Sequence, residues 1–305
     1  MTPREPGSFA ARIVRGLDRQ PAEVSPLAGV VNAVVRVRGS GFDWVVRFPV
    51  DPSRPNEFPL EEWAMGAARR AGIRVPDVVG SGLLDDVPFL VLEYIEPAGA
   101  DPENSWACLG RYARAASGLP LTEAPDAVFS RFGRDLPAAW QAHLAYNLGV
   151  LGADDPVLHD GGYTIEQQSA LRALLTELGS ARFEHGLAHG DLAPRNLIWR
   201  GRTEEPVLLD WGAASVGPAP WTDLQRVYQW AVHDQTVPRA ALDDFAAAAG
   251  LPLTDDTERM LVRLTVLRFL DLARWARERR PDLYPDLYPD YLAACSAGIH
   301  AALRP

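Results

Sequence analysis

The feature that most limits the fold is a change of rhythm near Pro97. Before it, apolar residues come in short, valine-rich runs separated by glycine or acidic turns; beyond it they recur mostly at helical spacing over longer segments. A chain that switches period in this way is expected to build a sheet-bearing part followed by a mainly helical one. At 305 residues it suits two lobes sharing a cleft, because single hydrophobic cores stop growing near this size.

Within the first part, a helix is expected near Ser8 to Leu17. The runs Val30 to Val37 and Trp44 to Phe48, separated by Gly39-Ser40-Gly41, read as a β-hairpin. Leu60 to Ala71 is rich in Ala, Glu, Met and Arg and ends at Gly72, which predicts a helix. Val75 to Leu84 and Val87 to Ile95, around Asp85-Asp86, predict a second hairpin. The first lobe closes there, giving expected domains of residues 1–95 and 96–305.

Beyond it, helices are expected at Trp106 to Gly118, Pro137 to Leu151, Ile165 to Leu178, Trp221 to Val232, Ala240 to Ala249 and Thr257 to Glu278. Thr164 with Gln167 supplies a capping-box start. The doubled segment Asp282 to Pro289 has too few copies for a solenoid and reads as a turn-rich lead-in to a last helix. Gly186 to Arg200 and Pro206 to Ala214 interrupt the helical pattern with loops and two short strands.

Composition narrows the function. A net charge of -10 opposes nonspecific nucleic-acid binding, which depends on cations that neutralise phosphates, and it suits a cationic small substrate. The start carries no signal-like stretch and no run is long enough to span a bilayer, so a cytoplasmic location with no membrane partner is expected. Cys108 and Cys295 form no metal-ligand pattern and read as buried free thiols. All 30 basic side chains are arginine; the chain has no lysine.

The interruption carries the chemistry. His189-Gly190-Asp191-Leu192-Ala193-Pro194-Arg195-Asn196 places an acid and an amide on one loop, and Asp210-Trp211-Gly212 adds a second acid. Phosphoryl transfer needs a hydroxyl held in line, a carboxylate to orient it and take its proton, and cations against the phosphates. Asp191 would face the acceptor hydroxyl, while Asn196 and Asp210 offer hard oxygen ligands to Mg²⁺.

With this spacing, HGDLAPRN followed by VLLDWGAAS resembles the aminoglycoside phosphotransferase family, relatives of protein kinases whose loop reads HGDxxxxN. The resemblance implies a two-lobed, protein-kinase-like α+β fold: an antiparallel sheet plus a helix, then a larger helical lobe. It also implies ATP or GTP as co-substrate and Mg²⁺ as cofactor. LAGVVNAVVRV matches the nucleotide-covering hairpin, with Gly29 and Asn32 at its turn, and VVRF matches the strand bearing the phosphate-binding cation. By position, Arg47 is that cation, Glu61 its partner with Glu62 the competing choice, and the backbone of Glu93 and Ile95 holds the adenine. His189 shapes the loop, with a general-base role as the alternative, and Asp223 in GPAPWTDL supports it.

Two departures stand beside these matches: Arg47 replaces the kinase lysine, and LAGVVN has one glycine where protein kinases carry GxGxxG. Arginine keeps the charge and adds a planar donor fork. Each residue also has a plainer reading. Asp191 and Asn196 are common turn formers, Arg47 and Glu61 fit solvated surfaces, and Trp140, Trp221, Trp230 and Trp275 fit plain core. Asp154, Asp155, Asp160 and Asp234 are candidates for ammonium recognition, with surface solvation as the plainer fate. The expected activity is transfer of the γ-phosphate to a hydroxyl of an antibiotic such as an aminoglycoside or macrolide. The alternatives are a choline- or homoserine-kinase-like metabolic kinase and a silent nucleotide-binding pseudokinase.

Overall fold

In chain order, the computed structural model begins with α1 (Pro6–Gly16), β1 (Glu23–Leu27), β2 (Asn32–Gly39), β3 (Phe42–Pro49), α2 (Phe58–Arg70), β4 (Val78–Leu84) and β5 (Val87–Glu93). It continues with α3 (Ser105–Ser117), α4 (Leu136–Val150), α5 (Pro156–His159), α6 (Gln168–Ser180), β6 (His185–Ala188), β7 (Leu197–Ile198), β8 (Val207–Leu208) and β9 (Ser215–Pro218). Four helices complete the chain: α7 (Trp221–Tyr228), α8 (Arg239–Ala248), α9 (Asp255–Glu278) and α10 (Tyr288–Ala302). The structure describes residues 5–29, 31–51, 55–98, 104–201, 205–278 and 287–303. Most of the doubled segment, and with it the expected turn-rich lead-in, lies outside the described residues; α10 starts at its last tyrosine, Tyr288.

The chain forms two compact units. The first comprises Met1–Glu103, Thr122–Pro125 and Ala193–Ala214, so the segment carrying Asn196 and Asp210 packs with the sheet. Its sheet is antiparallel in the order β1-β2-β3-β5-β4. The expected hairpins are present, each closed by a two-residue turn: Ser40-Gly41 joins β2 to β3, and Asp85-Asp86 joins β4 to β5. Both aspartates have positive φ, as the tight primed hairpin turns require. β1, which contains Pro26, was not among the expected strands; its pairing with β2 alone makes it an edge strand, where a missing N–H is tolerated.

Period-two alternation sorts the two faces of this sheet. Val35, Val37, Val46 and Phe48 bury against Phe9, Ile13 and Val14 of α1. That helix is started by Glu5, whose carboxylate accepts from the backbone N–H groups of Gly7 and Ser8 and is held below its ordinary pKa by them. The intervening residues of β3, Val45 and Arg47, therefore belong to the other face.

The second unit comprises Asn104–Leu121, Asp126–Leu192 and Ser215–Pro305. Leucines of α4, α6 and α9, with Ile299 of α10, form its main core. The expected capping box is present, with the Thr164 N–H donating to Gln167 Oε1 at 2.9 Å ahead of α6. The expected helix from Trp221 to Val232 is α7 continued by a π-helical turn, Gln229–His233. Cys108 and Cys295 are buried thiols not joined in a disulfide, and burial pushes Cys295 up to about 12. Among the described residues, no helix is long and apolar enough to cross a membrane.

Two features of this unit correct the sequence reading. Gly186, expected at the start of a loop, lies in β6, paired antiparallel with β9. A Cβ there would stand 2.0 Å from the Ser117 carbonyl oxygen, so only glycine lets β6 pass the end of α3. Asp155, expected as a solvated surface acid, is 1% exposed. Its carboxylate caps α5 and accepts from Tyr163 and from Arg274 of α9, each at 2.7 Å. Asn147 of α4 also accepts from Arg274, so one guanidinium ties three helices together.

Candidate functional site

The sheet-bearing unit contains a pocket of about 640 Å³. It collects most of the sequence-predicted nucleotide residues: Gly29, Asn32, Arg47, Glu61, Glu93, Ile95, Asn196 and Asp210 all line it. Local structure explains each placement. Arg47 reaches it because alternation along β3 sends Val46 and Phe48 to the α1 face. Glu61 reaches it from the first turns of α2, one residue before Glu62, which turns away and accepts from Ser81 Oγ at 2.7 Å.

Arg47 is the electrostatic centre of this pocket. Nη1 donates to Glu61 Oε1, and Nη2 lies 3.4 Å from Asp210 Oδ1. The guanidinium side chain is 15% exposed and the Glu61 carboxylate 2%, whereas Asp210 is half exposed. Burial pushes the Glu61 carboxyl above its ordinary pKa; the Arg47 charge pulls it back down, and Asp210 opposes that pull. The pair is thus a nearly dry ion pair with one wet carboxylate beside it.

Asp210 itself follows β8 and has φ +63°, the left-handed region, which aspartate tolerates better than most side chains. The following turn, Trp211–Ala213, packs on α2, and Trp211 is fully buried. This anchors the backbone while leaving the Asp210 carboxylate half exposed. Asn196 closes the short turn Pro194–Asn196; its carbonyl accepts from Leu209 N–H at 2.8 Å, tying it to the residue before Asp210.

The segment Glu93-Tyr94-Ile95 lines the pocket with main chain. Tyr94 N–H donates to Asp43 carbonyl at 3.0 Å, so the opposed pair Trp44 and Glu93 is a non-bonded one in the β3–β5 ladder. The Glu93 carbonyl consequently points away from β3, on the side where Glu93 N–H meets Asp77. Arg36 braces this segment: it is bonded to Asp43 at 2.7 Å and its guanidinium sits 3.4 Å from the Tyr94 ring centroid. Sequence reasoning did not single out Glu57, Met65 and Arg195, which also line the pocket. Arg195 carried a signal, being the residue before Asn196 inside HGDLAPRN; Glu57 and Met65 carried none.

In the helical unit, β6 leads into the His189-Gly190-Asp191 loop. Asp223, at the start of α7, is 1% exposed and accepts from His189 N–H at 3.1 Å and Gly190 N–H at 2.8 Å, one on each carboxylate oxygen. Burial raises its pKa to about 6; the two N–H donors act in the opposite sense and the nearby Asp191 charge adds to the rise. Gly190 has φ +83°, a conformation L side chains rarely adopt, so the turn into Asp191 demands glycine. Asp191 N–H donates to His189 Nδ1 at 3.3 Å. That nitrogen is therefore an acceptor, and the fully buried ring shapes the loop from within.

Comparison with known proteins follows this geometry. The sequence pattern of the phosphotransferase enzyme family matches residues 23–263. The curated aminoglycoside 3'-phosphotransferase of Streptomyces ribosidificus is 32% identical over 139 residues, 42% of this chain and 48% of that protein. The chain thus matches about half the length of that relative. Among solved structures, the GDP and kanamycin complex of APH(2")-IIia aligns with a TM-score of 0.64 at 16% identity, covering 96% of this chain and 98% of that one. Choline kinase LicA from Streptococcus pneumoniae aligns at 0.59 and 16%, covering 98% and 100%. Spectinomycin phosphotransferase APH(9)-Ia, in complex with ADP and spectinomycin, aligns at 0.55 and 11%, covering 95% and 96%. At these identities the structures establish the fold, which is the protein-kinase-like α+β fold expected from the sequence.

Proposed function

We propose, from the premise that this chain belongs to the phosphotransferase enzyme family, that it moves the terminal phosphate of ATP or GTP to a hydroxyl of a small molecule. The observation that carries this reading is the Arg47, Glu61 and Asp210 cluster, gathered with Asn196 and the Glu93–Ile95 main chain around one pocket. The purine would meet the Glu93 carbonyl and the Ile95 N–H, Gly29 and Asn32 would cover the phosphates, and Arg47 would meet them with the N–H groups that its contacts to Glu61 and Asp210 leave over. Glu61 would aim the guanidinium, a role a long charged side chain needs because it otherwise samples many rotamers.

A carboxamide and a carboxylate lining one pocket fit Mg²⁺, which favours hard oxygen ligands. Asn196 and Asp210 would hold it, and when bound it would neutralise charge on the phosphate oxygens. Asp191 would orient the acceptor hydroxyl and receive its proton. As the acceptor oxygen forms its bond to the γ-phosphorus, the bond from that phosphorus to the bridging oxygen breaks and the nucleoside diphosphate leaves. His189 and Asp223 would keep the Asp191 loop in shape and take no proton. We assign nucleotide binding to the sheet-bearing part and acceptor binding to the helical part, acting in the cytoplasm.

The acceptor class we favour is a hydroxylated antibiotic such as an aminoglycoside, which the net charge of -10 suits and which the curated relative's name points to. Choline is the second reading, prompted by the likeness to a choline kinase. The test is incubation with Mg-ATP or Mg-GTP and a panel of aminoglycosides, macrolides, choline and homoserine, with mass spectrometry for phosphate adducts. An adduct that falls about 10²–10⁴-fold in Asp191→Asn, the size expected for losing a general base, supports the reading. Nucleotide binding with no adduct across the panel favours a silent nucleotide-binding protein.

A further inference from the structure

The main chain assigned to the purine is pinned at both ends and little in between. Glu93 N–H donates to the Asp77 carbonyl at 2.8 Å and Tyr94 N–H to the Asp43 carbonyl at 3.0 Å; further on, Ala98 N–H donates to the Trp199 carbonyl at 2.8 Å. Between these anchors, the N–H groups of Ile95 and Glu96 meet no acceptor among the described residues, and Pro97 has no N–H to give. An unengaged Ile95 N–H suits a site that receives a ligand. Main chain without hydrogen bonds, however, loses conformational entropy when a ligand fixes it.

Arg36 supplies the missing restraint. It stands on β2 opposite Val45, on the sheet face that Val45 and Arg47 share. Its Nε and Nη2 donate to the two carboxylate oxygens of Asp43 at 2.9 and 2.7 Å. The same guanidinium lies 3.4 Å from the Tyr94 ring centroid, and Nη2 also donates to Glu96 at 3.0 Å. Tyr94 and Glu96 are the two neighbours of Ile95, so one planar fork holds the chain on both sides of that N–H. Asp43 closes the ring of contacts, because its carboxylate meets Arg36 while its carbonyl meets Tyr94 N–H. The Arg36 side chain is 14% exposed, and its bonds to Asp43 raise its own pKa and lower that of Asp43. Arg36 does not itself line the pocket.

We propose that Arg36 is a positioning residue for base recognition: it fixes Tyr94-Ile95-Glu96 so that the Ile95 N–H is already aimed when a purine arrives. This role rests on the reading of the pocket as a nucleotide site. It divides the work between two arginines of one sheet face. Arg47, opposite Val34, serves the phosphates, and Arg36, two residues beyond Val34 on β2, serves the base.

Calorimetry on the full chain with adenosine, guanosine, Mg-ADP and Mg-GDP tests the division. Arg36→Met keeps an apolar stem beside Tyr94 and loses the fork. It should bind the preferred nucleoside about five- to thirtyfold more weakly, the cost of fixing one residue of main chain. The matching diphosphate should lose the same factor, because the phosphate contacts at Arg47 are intact. Arg36→Lys should lose as much, since an ammonium cannot reproduce the fork. Arg38→Met is the control: Arg38 is bonded to Asp43 at 3.2 Å and to Glu23 at 3.3 Å, and among the described residues to neither Tyr94 nor Glu96, so nucleoside affinity should be unchanged. Three results would overturn the role. Full affinity in Arg36→Met or Arg36→Lys would show that the fork positions nothing. A loss confined to the diphosphates would make Arg36 a phosphate contact, and equal losses in Arg36→Met and Arg38→Met would make it general support for the sheet. If the unaltered protein binds neither nucleosides nor diphosphates, the nucleotide reading itself falls and takes the role with it.

Discussion

Glu61 and Asp223 are both 1% exposed, yet the chain keeps them in opposite ways. Glu61 meets a guanidinium, so its charge is balanced by another side chain that also faces a pocket. Asp223 meets two backbone N–H groups and has a like charge, Asp191, nearby. The first arrangement positions a side chain and leaves it able to take on a further anion. The second fixes two consecutive residues of main chain and is fully used in doing so. Burial raises both carboxyls, but an arginine pulls Glu61 back, whereas Asp223 has only dipoles to do so.

If that contrast is right, Asp223→Ala should be the costliest change, because it leaves two buried N–H groups with no acceptor. A loss of about 2–4 kcal/mol in urea unfolding, with the denaturant slope unchanged, is the expected size. A loss below about 0.5 kcal/mol would mean that the loop holds itself and the comparison fails.

A pH series sharpens the same contrast. An acid held above its unfolded value binds its proton more tightly in the folded chain, so its contribution to stability falls as pH rises from about 4 to about 6 and is level beyond. Unfolding free energy of the unaltered protein minus that of Asp223→Asn should therefore drop by about 2–3 kcal/mol between pH 4 and 7. A flat difference would show that the two N–H donors offset burial in full.

The smallest effect belongs to the glutamate that was the rival for the Arg47 contact. Among the described residues Glu62 reaches only Ser81 Oγ, so Glu62→Ala should change unfolding free energy by less than about 0.5 kcal/mol and leave nucleotide affinity alone. Glu61→Ala should disturb both. Equal behaviour of the two variants would remove the distinction drawn from the register of α2.

Asp223's contact with the loop was legible because HGDLAPRN and GPAPWTDL announce themselves as contiguous strings. The Arg47 and Glu61 contact was legible only to within one residue, since choosing between adjacent glutamates depends on where α2 begins. Asp155 misled, because an acid in a polar stretch gives no local sign that Arg274, over a hundred residues on, will cover it. β6 and β9 were missed for a related reason. Four-residue strands lack room for alternation, and their partners are distant in sequence. β1 was hidden by its proline.

The central claim is that, in a chain without lysine, Arg47 is the cation that meets nucleotide phosphates. Calorimetry on the unaltered protein and Arg47→Met, with Mg-ADP, Mg-GDP and the two phosphate-free nucleosides, tests it most directly. The account predicts at least about tenfold weaker binding of the diphosphates, the scale of a lost charged hydrogen bond, with nucleoside binding unchanged. Unaltered diphosphate affinity, or equal losses for diphosphates and nucleosides, would contradict it.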